Sequence, residues 1–579
     1  MYDPDLPRHA PSLLSLATSL IASAALAVFC PPTSSAAGAA TAAAAHGMTM
    51  SSGLRFVPPA PGERVGTVSF AVSCAPAVQR SFSRGVALLH DFWYQEAQSQ
   101  FTEILRQDPG CSIAHWGIAM SVFHQIWDRP NPEVQALAKS ELEQALAHPP
   151  QTARERGFVE ALAAFFVPAG GDYQARIEAY AASMGKLYAA NPGDVDVGAF
   201  YALALLASHA ATDASVAKER QAMTVLTPLF AKYPDHPGVV HYIIHACDNP
   251  ALAPDGLAAA RHYGEIAASA PHAVHMPGHI FSRLGMWRED IEVNRASVEA
   301  SKAASARRQS GSMDQFHSDD FLLYAYLQSA EDANARGILA DSKAMMASFE
   351  SMGDIGDHYM TGMFPYYRSK LPIFFDLEMR DWKAAAALEP IAAAPPETQA
   401  LTWWARAVAD GHLHRPAGAR ADLAAYDGLM VEIKKGRNAY VAESVGGRIR
   451  RGEMTAWAAF AQGGQGEALA RMREAADLQD KVGQGEVDIP AREMLADMLL
   501  EQGRAREALT EYDAALKLSP KRFNALYNAG TAAESIGDKP RAKRYYAALL
   551  EQTGNGSSTA RPELAHVKAF VSSVTVAER

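Results

Sequence analysis

At 579 residues the chain is far longer than one ordinary hydrophobic core supports, so several domains or a repeat array are expected. Its formal charge is −11 and no lysine or arginine cluster stands out, which argues against a nucleic-acid partner, because such binding needs a basic footprint. Alanine-rich helical segments run almost throughout, without a convincing series of alternating strand patterns.

Residues 1–45 read differently from the rest. Leu13 to Cys30 is apolar and is followed by a Pro/Ser/Ala/Gly tract with small residues at Ser35-Ala36-Ala37. That layout is expected of a secretory signal and its cleavage region, although Asp3 and Asp5 offset Arg8 in the leading segment. A membrane anchor is the alternative, since eighteen apolar residues reach the lower limit for a span. Cys30 is a poor lipoprotein site because bulky Phe29 precedes it. Nothing later looks transmembrane, so the expectation is a periplasmic or secreted protein with no span after cleavage, preceded by a lead-in at 46–69.

Three cysteines then remain: Cys74, Cys111 and Cys247. Cys74 and Cys111 each precede the first helix of consecutive repeats, where an oxidising compartment permits a bridge. Two separate buried thiols are the other reading. Cys247 lies two residues beyond His245, a spacing that turns the side chains apart on a helix.

The periodic signal is cleanest at the C-terminal end. Gly503, Ala508 and Tyr512 recur thirty-four residues later as Gly537, Ala542 and Tyr546. Leu500, Gly503, Ala508, Tyr512, Ala515 and Pro520 fall close to the spacings of the tetratricopeptide repeat, in which each repeat is one helix–turn–helix unit stacked on the last. Ala97, Phe101 and Pro109 show the same order near the start, and Leu284, Gly285 and Ile291 a looser version. Turn residues at Asn191-Pro192-Gly193-Asp194, Pro234-Asp235-His236-Pro237 and Ser519-Pro520 mark repeat junctions. First helices are expected near 75, 111, 152, 194, 237, 277, 315, 357, 396, 440, 491 and 521. The expected fold is all-α, a right-handed α-solenoid of about twelve such hairpins. It divides into a solenoid over 70–390, C-terminal repeats over 391–555, and a linker and capping helix over 556–579.

Residues 70–330 further resemble a bacterial tetratricopeptide-containing family. The resemblance rests on Ser73-Cys74, the run Cys111-Ser112-Ile113-Ala114-His115-Trp116-Gly117-Ile118-Ala119-Met120, and His275-Met276-Pro277-Gly278-His279-Ile280. It implies the solenoid fold and carries no reaction with it.

Chemistry is concentrated in the histidine-rich segment 236–320. His241 and His245 recur one repeat later as His275 and His279. Residues four apart share a helix face, and a full period places them on neighbouring helices, so four imidazoles should converge. Imidazole is the commonest protein ligand for transition metals, and zinc, copper, iron and manganese all stay open. Tyr242 stands where a zinc protease's glutamate would follow the first histidine, so protease chemistry is unsupported. Pro277 is expected to start its helix, leaving His275 just outside, with a kinked longer helix as the alternative. Asp248, His272, His317 and Asp320 are candidates to complete or orient the site, with His124 further away and His358 and Arg368 weaker. In proteins this repeat resembles, the places held by His279 and Arg283 commonly face the concave groove, so Arg283 is expected to contact a ligand there.

Two functions compete on this reading. One is an exported solenoid that binds a peptide, protein or small ligand in its groove, with a transition-metal site among the histidines. The other is a metal-dependent hydrolase or oxidoreductase with its active site inside the superhelix; metal storage or transport is a third. Phosphate-binding loops, nucleophile elbows and Cys-x-x-Cys pairs do not occur.

Overall fold

A computed structural model describes residues 55–126, 128–168, 170–352, 358–436, 438–483, 487–554 and 561–577, with side chains undescribed over 347–363 and 575–577. The apolar segment read as a secretion signal lies outside the described residues, as does the 555–560 part of the expected linker. Among the described residues there is no strand, and no helix is long and apolar enough to cross a membrane.

The architecture is an all-α solenoid of antiparallel helix pairs. First helices begin at Gln79, Ile113, Ala153, Val195, Pro237, Pro271, Ser312, His358, Pro396, Val445, Ala491 and Phe523, and the helix Pro562–Ala577 caps the end. Local chemistry sets these starts. Asn131, Thr152, Asp172, Asp194 and Ser444 each accept a hydrogen bond from the first turn of the following helix, and Thr152 forms a reciprocal capping box with Glu155. Proline opens the helices at 132, 237, 271, 277, 396 and 416, where its missing N–H costs nothing.

Packing between the pairs follows the small-and-large alternation of the repeats. Phe101 is fully buried, and a Cβ on Gly117 would come within 2.4 Å of its ring, so only glycine admits this approach. Trp116, Phe158 and Phe200 continue the same aromatic core, with ring centroids 5.1 to 5.8 Å apart. Cys74 and Cys111 are joined in a disulfide that ties the segment before Gln79–His90 to the start of Ile113–Ser121.

Distant repeats also touch. Trp93 Nε1 donates to the Ser310 carbonyl at 2.8 Å and Trp287 Nε1 to the Lys521 carbonyl at 2.7 Å. The Arg522 guanidinium, itself buried, binds Glu493 at 2.5 Å and Glu378 at 2.8 Å. Val445 N donates to the Ala211 carbonyl at 2.9 Å, and Arg129 stacks 3.8 Å over Tyr440. The inner face is therefore packed against other repeats around residues 283–287.

Candidate metal centre

His241 and His245 lie on the helix Pro237–Cys247, one turn apart, with ring centroids separated by 4.7 Å. The next hairpin begins with two short helices, Pro271–His275 and Pro277–Arg283. Met276 between them keeps right-handed helical dihedrals, so the path continues through a proline-marked break. His275 thus sits inside helical structure, not outside it as the proline alone suggested. The continuity places His275 and His279 on one face, with centroids 4.9 Å apart.

Two sets of three imidazoles result. His241, His245 and His272 form one, and His275, His279 and His317 the other; within each set the ligand-type nitrogens lie within 4.8 Å of one another. The sets abut, with ring centroids of 6.1 Å between His272 and His275 and 6.4 Å between His245 and His279. One phenyl ring covers each. Phe92, held in the left-handed region at φ 55° in the turn after Gln79–His90, lies 4.4 Å from His241 and 5.6 Å from His272. Phe321 lies 4.7 Å from both His275 and His279.

The far nitrogen of four rings is held from behind. His241 Nδ1 meets the His90 carbonyl at 2.5 Å, His279 Nδ1 the Asp248 carboxylate at 2.9 Å, and His317 Nδ1 the Tyr367 hydroxyl at 2.9 Å. Asn294 Nδ2 donates to Asp290, so its Oδ1 faces His275 Nδ1 at 2.5 Å. Partners of this kind fix ring orientation and leave Nε2 as the ligand atom. Only glycine at 278 lets Asn294 in, since a Cβ there would stand 2.7 Å from its Nδ2. The His90 carbonyl is steadied in turn by its own side chain, which bonds Tyr242 at 2.9 Å and Asp196 at 3.2 Å, with His236 on the same carboxylate oxygen.

His275 Nδ1 and His279 Nδ1 both donate to oxygen, so in neutral rings both Nε2 atoms bear lone pairs. Those two atoms face each other at 3.0 Å. Such a contact is repulsive unless a cation, a proton or a metal ion, is shared. Burial pushes the His245 imidazole down to about 3, and His241, His272, His275 and His317 well below the ordinary histidine value, so protonation of these five rings is disfavoured. The Nε2 atoms of His241 and His245 are enclosed and have no hydrogen-bond partner.

Other candidates take different places. Asp248 caps Pro237–Cys247, and its carboxylate is shared between His279 and Arg283, 2.9 and 2.8 Å away; it orients the site from outside. Against the desolvation of burial, Arg283 and His279 hold this carboxyl below its usual range. Arg283 is itself buried and also binds the Asp248 carbonyl at 3.2 Å, so it does not line an open groove. The expectation of groove exposure for His279 and Arg283 is corrected on the same ground, because neighbouring elements cover both. Asp320 is paired with Lys370 and belongs to neither set of rings. His124 stacks on Tyr94 at 4.5 Å and joins neither set. Arg368 has an exposed side chain, and that of His358 lies outside the described residues. Phe92, Phe321, Asn294 and Tyr367 were not legible as site residues, because no motif links them to the histidines.

Tetratricopeptide repeats are matched by a family model over residues 493–557, within which lie the helices Ala505–Leu518, Phe523–Ser535 and Lys539–Gln552. The chain thus carries tetratricopeptide repeats in that segment. Among solved structures it is similar to the human IFIT1 dimer with m7Gppp-AAAA, at 13% identity and a TM-score of 0.34, over 83% of this chain and 91% of that one. It is also similar to the P58(IPK) TPR domain, at 13% identity and a TM-score of 0.19, over 86% and 99%. Likeness at these scores supports no functional argument. No curated protein matches the sequence.

Proposed function

We propose that the protein is an exported solenoid that binds transition metal in its buried six-histidine chamber. The observation that carries this reading is the 3.0 Å approach of two ring nitrogens, His275 Nε2 and His279 Nε2, that need a shared cation between them because the other nitrogen of each ring already donates. An ion about 2 Å from each nitrogen would relieve that contact. The enclosed Nε2 atoms of His241 and His245 support it independently. Export is supported by the apolar Leu13–Cys30 segment and by the Cys74–Cys111 bridge, which suits an oxidising compartment. A peptide or protein partner would bind elsewhere on the solenoid, since the histidine face is covered. Catalysis is the second reading, favoured by three-ligand sets that leave coordination positions open.

Elemental analysis of the purified protein, before and after dialysis against zinc, copper, iron or manganese, tests the binding. Metal retained by the parent and reduced in His241→Ala and His275→Ala supports the chamber. A natively folded parent that takes up none of the four metals overturns it.

A further inference from the structure

We infer that the two triads hold a pair of copper ions, one in each, and that the pair binds one molecule of dioxygen between them. This deepens the metal-binding reading and rests on it. Four observations lead to the pair.

First, the chamber is a doubled site. Each triad takes two histidines four residues apart, His241 and His245 or His275 and His279, and adds a third, His272 or His317, from another segment. Ring centroids across the divide are as close as 6.1 Å, little more than the separations within a triad. Two ions held by such neighbours open onto one shared space.

Second, all six ligands are imidazoles. The nearest carboxylate, Asp248, is committed to His279 and Arg283, and the nearest thiol, Cys247, is buried beside Met223 at 3.7 Å. Oxygen-seeking calcium, magnesium and manganese have little to bind here, whereas imidazole suits copper, which stands highest in divalent affinity.

Third, the ligand set is neutral and enclosed. Burying charge without a compensating anion is costly, and two monovalent copper(I) ions bring half the charge of two zinc(II) ions. Three nitrogen ligands also complete a common copper(I) geometry, while zinc requires a fourth.

Fourth, an apolar ring packs against each triad. Phe92 stands against His241, His245 and His272, and Phe321 against His275, His279 and His317. His245 and His317, one from each triad, keep partial exposure and mark the side of entry.

The binding step balances without a further reactant. Each copper(I) gives one electron, becoming copper(II), and dioxygen accepts both to become a bridging peroxide dianion. The O–O single bond is kept, no proton moves, and departure of dioxygen returns the electrons to the metals.

The test loads the purified protein with copper(I) without air, then admits oxygen. Two coppers per chain are expected, with an intense near-ultraviolet charge-transfer band on oxygenation and no copper(II) paramagnetic signal, because the two spins couple through the bridge. His245→Ala and His317→Ala should each hold one copper and lose the band. One copper per chain in the parent, or two that give uncoupled copper(II) spectra and no band, overturns the pair while leaving metal binding intact. Failure to retain any of the four metals overturns both readings together. Stoichiometry and paramagnetism of the parent decide the matter even where a variant does not fold.

Discussion

Asn294→Leu isolates what a ligand's backing partner contributes. In the parent, Asn294 Oδ1 accepts from His275 Nδ1 at 2.5 Å, and Asn294 Nδ2 donates to the Asp290 carbonyl and carboxylate. Leucine has the same branched heavy-atom skeleton and neither function. Without the acceptor, the ring proton moves to Nε2, where it can donate to His279 Nε2, 3.0 Å away. The metal-free protein thus recovers one hydrogen bond inside the chamber, while Asp290 loses its donor, a net cost of about 1–3 kcal/mol. Metal binding must now displace that proton and turn the tautomer back. Removing a partner of this kind lowers metal affinity roughly 10- to 100-fold, or about 1.4–2.8 kcal/mol. Competition against a coloured chelator measures the affinity, and urea unfolding of the metal-free protein measures the stability separately. Unchanged affinity alongside reduced stability would refute the orienting role of Asn294.

Two further outcomes concern the scaffold. Glu453 is buried against Trp404, and burial followed by the nearby Asp488 raises its carboxyl to about 8 from an ordinary 4.5. The folded state then holds a proton that the unfolded state releases, so stability should fall as pH rises from about 4.5 to about 8, by at most roughly 4–5 kcal/mol. Glu453→Gln should flatten the urea midpoint over that window; an unaltered profile would rule the residue out. Replacing Cys74 and Cys111 by serine removes a cross-link over 37 residues of sequence, worth about 4 kcal/mol in chain entropy, and should lower the melting temperature measurably. A melting point equal to that of the oxidised parent would show that the bridge contributes nothing.

Periodicity made much of this molecule readable. Proline and acidic caps at Pro237, Asp194 and Pro396 lie where sequence places the junctions, because helix starts are local events. The pairing of His241 with His245 was equally local, a matter of 3.6 residues per turn. His275 was harder, because proline's usual effect is to end a helix, and only neighbouring packing carries the chain helically through Met276. Phe92 and Tyr367 come from other repeats and meet the histidines through tertiary packing, which leaves no pattern in a single sequence. The burial of Arg283 escaped for the same reason: repeat position gives its direction, but distant elements decide whether that direction is open.

Simple repeat arrays behave like a row of dominoes, each unit feeling only the next, and their ends fray independently. The ties from Trp287 to Lys521, from Arg522 to Glu378 and from Val445 to Ala211 cross that row. A disturbance near residue 522 therefore reaches the sixth hairpin without passing through those between. The terminal repeats act as a keystone for the middle of the chain, and trimming them should slacken the histidine chamber long before it removes any residue that lines it.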